Sequence, residues 1–156
     1  MPPHDPLQPH SHDPNLITPE GDGSFSLLLP NDRKLTISVS DLMALAQTAV
    51  SDCYIVSTGH GTSGPFTFVG VTLRNFMDAF WAKSYASVEV VSVDGFGNRV
   101  TFDELQEETL RPILLTCQIN GKTMTREEGL TRMIVPSETD DALRQVKWVG
   151  EIRVVN

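Results

Sequence analysis

The sequence predicts one α+β domain with a mixed β-sheet over residues 24–156, preceded by a flexible arm over residues 1–23. Short apolar runs bounded by turn residues outnumber helical patterns along the domain. Most of these runs follow one another by short turns and not in strict strand–helix–strand order, which favours α+β over a doubly wound fold. A length of 156 residues with 40% hydrophobic and 21% charged content is typical of one globular domain.

The arm is predicted from its composition. Six of the ten prolines and three of the four histidines fall within residues 1–23. A segment with so few apolar side chains buries too little surface to offset the entropy lost on ordering, so we expect it to be extended or disordered.

The first half of the domain is predicted to contain short strands and two helices. Thr72 is a good N-cap for a helix through about Lys83, because Leu73, Phe76 and Met77 then share one face. The glycine-rich segment Gly59–Gly70 is predicted to be a long loop. The other expected elements are strands at 24–29, 34–39 and 53–58 and a helix starting at Ser40-Asp41.

The second half is predicted to be mostly strands joined by tight turns. Asn120-Gly121 is a strong turn signal after the most apolar run, 112–119. Thr101 and Glu104 have the spacing of a capping box for a brief helix through about Glu108. The remaining elements are a hairpin of 87–93 and 100–102 around the turn 94–98, and strands at 130–135 and 146–155 separated by the loop 136–142.

Charge and composition exclude several classes of function. The net charge of −8 argues against non-specific binding to nucleic acid or anionic membranes. The sequence has no apolar run of the roughly 18 residues that a membrane span needs, no secretory signal pattern, and only two cysteines without C-x-x-C spacing. We therefore expect a reduced, cytoplasmic protein with no membrane or nucleic-acid partner. The sequence does not indicate an oligomeric state.

The charge is unevenly distributed along the chain. Residues 1–110 hold 5 basic and 14 acidic side chains, or −9, whereas residues 111–156 hold 7 basic and 6 acidic ones, or +1. A locally basic region in an acidic protein suits a small anionic ligand better than a polymer. The alternative is that these cations simply lie on exposed strands.

The segment Gly59–Gly64 matches the pattern G-x-G-x-x-G and follows a predicted strand. A dinucleotide-binding loop also requires a helix that starts directly on the loop, yet the next helix here begins only near Leu73. We therefore reject a Rossmann interpretation. A glycine-rich loop at a strand end can donate backbone N–H groups to an anion, but a plain surface loop fits the residues equally well. No catalytic triad pattern accompanies His60.

Five short patterns follow one another along the domain. They are G-V-x-L at 70–73, D-G-aromatic at 94–96, N-G-x-x-M at 120–124, R-x-I-V-P at 132–136 and V-K-W at 146–148. Their combination resembles the molybdopterin-binding oxidoreductase domain of sulfite oxidases and nitrate reductases, over about residues 25–156. The resemblance implies an α+β mixed-sheet domain of the sulfite-oxidase type and molybdopterin, the molybdenum cofactor.

The resemblance also implies a cofactor pocket. Arg132 and Lys147 match the family's basic contacts to the pterin phosphate, and Asp94 matches an acidic contact. The family's histidine shortly before the arginine appears here as Glu128, which is a departure. The alternative for Arg132 and Lys147 is solvent-facing strand charge, which fits them about as well as the site that the resemblance implies. The other pocket residues implied are Ser57, Gly59, His60, Gly61, Thr62, Ser63 and Val146.

The metal-ligand position also departs from the family. The family's cysteine at the end of the strand before the loop gives a thiolate to molybdenum, and alignment of its C-x-G places Ser57 there. Cys53 is the alternative ligand, but a regular strand separates it from Ser57 by about 13 Å, so only a bulge or register shift would re-aim it. A thiolate is the softer ligand and a serine alkoxide the harder one.

The resemblance implies two functions from different classes. The first is a molybdopterin-binding oxidoreductase-like domain with redox chemistry on a small oxyanion. The second is a non-catalytic module that keeps the fold and binds another small anion or a protein partner. The family's catalytic tyrosine lies beyond V-K-W and matches no residue up to Asn156, so no catalytic residue is assigned.

Overall fold

The computed structural model of the chain describes residues 21–57, 61–137 and 144–156. Two β-sheets and three short helices form this part of the chain. The helices are α1 (Val39–Met43), α2 (Leu73–Phe80) and α3 (Phe102–Gln106). The strands are β1 (Phe25–Leu28), β2 (Lys34–Ile37), β3 (Thr48–Ser57), β4 (Gly61–Thr72), β5 (Ser87–Ser92), β6 (Gly97–Thr101), β7 (Leu114–Ile119), β8 (Lys122–Thr123), β9 (Arg132–Ile134) and β10 (Val149–Val155).

The first sheet is mixed and has the strand order β2-β1-β10-β5-β6. Strands β1 and β10 run parallel, with Leu27 opposite Ile152, and the other neighbours are antiparallel. The parallel pair joins the first and last strands of the described chain. This mixed sheet, together with the few short helices, confirms the predicted α+β class.

The second sheet has the strand order β3-β4-β7-β8, and β9 also pairs with β7. Strand β7 is covered on both faces. Leu115 lies in the larger core with Phe76 and Ile152, whereas Leu114 lies in a smaller core with Phe68. A strand that is buried on both faces needs an almost continuous apolar sequence, which explains the run at 112–119.

The helix-start signals at Thr72 and Thr101 and the turn signal at Asn120-Gly121 are confirmed. The Thr72 hydroxyl accepts a backbone N–H bond at 3.1 Å at the start of α2, and the Thr101 hydroxyl accepts one from Glu104 at 3.2 Å at the start of α3. Asn120 and Gly121 have φ of 49° and 80° and turn β7 into β8. Because these signals act over a few residues, the sequence alone reveals them.

The predicted long loop over Gly59–Gly70 is wrong in its described part. The segment from Gly61 is strand β4, bonded to β3 on one side and to β7 on the other. A methyl group at Gly70 would overlap the carbonyl oxygen of Leu115 in β7. That glycine therefore permits close approach of two strands and does not mark a loop.

Several predicted boundaries also shift. Helix α1 begins earlier than expected because Ser38 and Asp41 form a reciprocal capping box, with bonds of 3.0 and 2.9 Å. Helix α2 ends at Phe80 and not near Lys83, and β3 begins at Thr48 and not at Cys53. The predicted arm falls almost entirely on residues 1–20, which lie outside the described residues.

The predicted strand over 146–155 is interrupted near its start. Trp148 has a φ of 53°, and β10 begins only at Val149. Val146 forms an isolated bridge with Met133, accepting its N–H at 2.9 Å and donating back at 3.0 Å. The prediction of one continuous strand over 146–155 is therefore wrong, since the extended geometry is broken between the bridge at Val146 and strand β10.

Candidate functional site

Arg132 is a buried cation at the start of β9. It is 6% exposed and lies opposite Thr116 of β7. Its Nε donates to the carbonyl oxygen of Glu128 at 2.5 Å. Burial lowers its pKa to about 10, and the Glu128 carboxylate opposes that shift. Within the described residues, no carboxylate comes within ion-pair distance of this guanidinium.

Lys147 is half-buried next to this arginine. Its Nζ lies 4.1 Å from the centroid of the Trp148 ring, which is a cation–π contact. Burial is the largest cause of its lowered pKa, and the positive charge of Arg132 lowers it further. The carboxylates of Glu127 and Asp94 act in the opposite direction. Both cations are therefore partly desolvated and close enough to affect each other.

Gly129 explains how the two basic side chains come together. A Cβ at this position would lie 2.8 Å from Cγ of Lys147 and 3.0 Å from Nε of Arg132. Its φ of 115° is also a conformation that L-residues rarely adopt. The two side chains thus pack against the turn at Gly129, which leaves no room for a side chain. We call Arg132 and Lys147 the basic pair.

Asp94 lies at the tip of the hairpin formed by β5 and β6. Its Oδ1 accepts a bond from the Ser92 hydroxyl at 2.5 Å and one from the Phe96 N–H at 3.4 Å. Its carboxylate acts on Lys147 as a negative charge that partly offsets the lowering of the lysine pKa by burial. Val146 contributes through its backbone, because its bridge to β9 fixes the residue that precedes Lys147.

The other predicted pocket residues lie in the β3–β4 hairpin. Ser57 ends β3 and pairs with Gly61, and Thr62 and Ser63 follow in β4. Gly59 and His60 lie outside the described residues. Strand β3 is bonded to the chain before the basic pair at Gln145, whose Nε2 donates to the Tyr54 carbonyl at 2.9 Å. This bond ties β3 to the chain two residues before Lys147.

Both cysteines of the chain lie in the described residues, and both are buried. Cys53 is 1% exposed in the smaller core, between register shifts of β3, and its thiol donates to the Val50 carbonyl at 3.5 Å. Burial raises the pKa of Cys53, with Arg111 opposing it, and burial also raises the pKa of Cys117. In this arrangement neither thiol is a thiolate near neutral pH.

Among the described residues, no three His, Cys, Asp or Glu side chains are clustered closely enough to hold a metal ion. Sequence reasoning missed Gly129 and Gln145, because their contacts are tertiary and leave no local pattern. It also missed the turn before Arg132, where Thr125 and Glu128 bond each other's backbone. The T-x-x-E spacing of that turn is typical of a capping box, so the sequence could have predicted it.

The family model described as the oxidoreductase molybdopterin binding domain matches residues 19–156. The chain belongs to this family. The resemblance inferred from the five patterns is thereby confirmed. Arg132, Lys147 and Asp94 all lie inside the matched part of this molybdopterin-binding-family domain.

The crystal structure of the sulfane dehydrogenase SoxCD from Paracoccus pantotrophus is similar to the domain, with a TM-score of 0.66 and 18% identity. The similarity covers 88% of this chain, which spans about 40% of the SoxCD chain. At this identity the match shows the shared fold. No curated protein matches the chain. None of the helices in the described ranges has the length and apolar character that crossing a membrane would require.

The residues present fit one end of the family's cofactor. The basic pair would offer a guanidinium and an ammonium to a phosphate, and the guanidinium is buried without an ion-pair partner among the described residues. The residues do not fit the molybdenum end of the cofactor equally well, because both thiols, Cys53 and Cys117, are buried and neutral. The residues present therefore suit the phosphate end of the cofactor better than its metal end.

Proposed function

We propose that the domain binds molybdopterin, with the cofactor's phosphate between Arg132 and Lys147. The buried guanidinium of Arg132, packed with Lys147 around Gly129, supports this proposal. A buried charge costs several kcal/mol unless it is paired, and a phosphate supplies charge-assisted hydrogen bonds that compensate. The ligand class is thus a small anion, as the basic C-terminal third predicts.

Each residue has a distinct role in this proposal. Arg132 binds two phosphate oxygens with its planar fork, and Lys147 adds a compact positive charge. Asp94 acts on Lys147 as a negative charge, and in this proposal its carboxylate accepts from a donor of the ligand. The Gln145 bond ties Tyr54 of β3 to the chain just before Lys147, and Ser57, Thr62 and Ser63 remain predicted pocket residues. The molybdenum of the bound cofactor would supply redox chemistry on a small oxyanion.

A second candidate is a non-catalytic module that keeps the fold and the anion pocket. The observation that favours it is the burial of both thiols, Cys53 at 1% and Cys117 at 3% exposure, because a buried neutral thiol gives no ligand to molybdenum. Ser57 remains the predicted ligand position, with Cys53 as its alternative. The module would bind another small anion or a protein partner, and the absence of nucleic-acid and membrane partners remains a prediction from composition.

Titration with inorganic phosphate or a pterin phosphate tests the proposed pocket. We expect either anion to raise the thermal midpoint of the wild type, and to raise those of Arg132→Ala and Lys147→Ala much less. Each charge-assisted bond contributes about 1.5–3 kcal/mol, which is a loss of about 10- to 150-fold in affinity. Arg132→Lys should also bind more weakly, since lysine cannot bind two oxygens with a planar fork.

Two exposed cations provide matched controls. Lys122 on β8 and Arg153 on β10 are both exposed, so Lys122→Ala and Arg153→Ala remove the same charges away from the pocket. These variants should respond to phosphate as the wild type does. If phosphate raises the thermal midpoint of every variant equally, or of none, the proposed anion pocket is contradicted and only the fold assignment stands.

A further inference from the structure

The turn between β8 and β9 is closed by its own side chains. The Thr125 N–H donates to Oε1 of Glu128 at 2.9 Å, and the Glu128 N–H donates to the Thr125 hydroxyl at 3.2 Å. The N–H groups of Gly129 and Leu130 donate to the Thr125 carbonyl at 3.1 and 3.2 Å. This reciprocal arrangement is that of a capping box, and it fixes the backbone of residues 125–130.

The same turn contacts both members of the basic pair. The Glu128 carbonyl accepts from Nε of Arg132 at 2.5 Å. The Arg126 carbonyl accepts from the Trp148 indole at 2.5 Å, and the Lys147 ammonium lies over that indole. One bonded turn therefore sets the position of the guanidinium directly and of the ammonium through the tryptophan ring.

We propose that Glu128 is a positioning residue for the anion pocket. Its carboxylate closes the turn on Thr125, and its carbonyl oxygen then orients Arg132. The inference rests on the proposed function, because the basic pair is what the turn positions. The family resemblance expects a histidine at this position. In this chain Glu128 holds the turn that orients Arg132 and does not itself contact the ligand.

Charge and positioning predict opposite effects for the loss of this side chain. The Glu128 carboxylate acts on Arg132 as a negative charge close to the pocket. If its charge were all that mattered, Glu128→Ala would tighten phosphate binding, since a repulsive carboxylate is removed. If it closes the turn, Glu128→Ala frees Arg132 and weakens binding, because an unfixed guanidinium loses more entropy when it binds.

The experiment compares phosphate affinity in three variants by calorimetric titration. We expect Glu128→Ala to bind phosphate about tenfold more weakly than the wild type or worse. Glu128→Gln should bind at least as tightly as the wild type, because its amide oxygen accepts the same Thr125 N–H without the negative charge. The control is Glu127→Ala, which removes the neighbouring exposed carboxylate that acts on Lys147. It should leave binding unchanged or slightly tighter.

The Trp148 indole N–H gives a second measurement that needs no ligand. The chain has two tryptophans, so a Trp81→Phe variant assigns the two indole signals in an NMR spectrum. We expect Glu128→Ala to shift the Trp148 signal, because the turn holds its acceptor at Arg126, and Glu128→Gln to leave it in place.

The outcomes separate this inference from the proposed function. A wild type that binds no phosphate overturns the proposed function, and the positioning role falls with it. A wild type that binds, with Glu128→Ala binding equally or more tightly, overturns the positioning role alone. Equal weakening in Glu128→Ala and Glu128→Gln also overturns it, because the bond to Thr125 would then not be the cause.

Discussion

Gly129→Ala should both destabilise the domain and disturb the basic pair. The new methyl carbon would lie 2.8 Å from Cγ of Lys147 and 3.0 Å from Nε of Arg132. Those atoms belong to the inner part of one side chain and to a guanidinium bonded to Glu128, so neither moves freely. The backbone φ of 115° adds strain for any L-residue.

The expected cost has two parts. A non-glycine residue in such a backbone conformation costs about 1–3 kcal/mol, and an overpacked contact costs about 1–3 kcal/mol more. We therefore expect a loss of about 2–6 kcal/mol in the free energy of unfolding. At about 2–4 °C for each kcal/mol in a chain of this size, the thermal midpoint should fall by at least about 4 °C. Phosphate affinity should fall as well.

Urea denaturation followed by tryptophan fluorescence measures this cost. The control is Gly121→Ala, because Gly121 has a φ of 80° but no atom within 4 Å of an added Cβ. It carries backbone strain without the contacts, so Gly129→Ala should be the more destabilising variant by about 1–3 kcal/mol. If both variants lose the same stability and Gly129→Ala binds phosphate normally, the packing described for the basic pair is wrong.

Three further predictions concern the surroundings of the pocket. Trp148→Ala should cost about 3–5 kcal/mol, since Trp148 is 7% exposed, and an unchanged denaturation midpoint would refute its burial. Cys53 and Cys117 should react with an aromatic disulfide reagent only after unfolding, whereas one fast thiol in the native protein would contradict the described burial. Because folding lowers the pKa of Lys147, the unfolded chain binds that proton more tightly. Stability relative to Lys147→Met should therefore rise as the pH passes through the lowered pKa of Lys147 towards the ordinary lysine pKa, and a flat difference between their urea midpoints would count against it.

The fold could be predicted where the signals are local. Thr72 and the pair Asn120-Gly121 act on their own neighbours, so the helix start and the turn follow from a few residues. The prediction fails at β4, because Gly70 is required by a carbonyl on another strand. The break at Trp148 likewise follows from hydrogen bonds of Val146 and Val149 to the chain around β9, which no local pattern reveals.

In the candidate site, too, some residues could be predicted from sequence patterns and others depend on tertiary contacts. The family resemblance implies Arg132 and Lys147 as cofactor contacts, and the structure places both side chains against one turn. Gly129, which permits that packing, could not be predicted because its contacts exist only after β9 and the chain before β10 come together. Glu128 was interpreted as a departure from the family, although its spacing from Thr125 predicts a capped turn.

The central claim is that this domain binds molybdopterin through its basic pair, and the cofactor content of the purified protein tests it most directly. The protein and its Arg132→Ala/Lys147→Ala double variant should be purified from a host that makes the cofactor, then analysed for pterin by mass spectrometry and for molybdenum by elemental analysis. We predict about one pterin for each wild-type chain and a large loss in the double variant, with Arg153→Ala retaining the wild-type amount. Molybdenum in equal amount to pterin would support the oxidoreductase, and pterin without metal would support the non-catalytic module. A wild type without pterin, or a double variant that retains it in full, would contradict the claim.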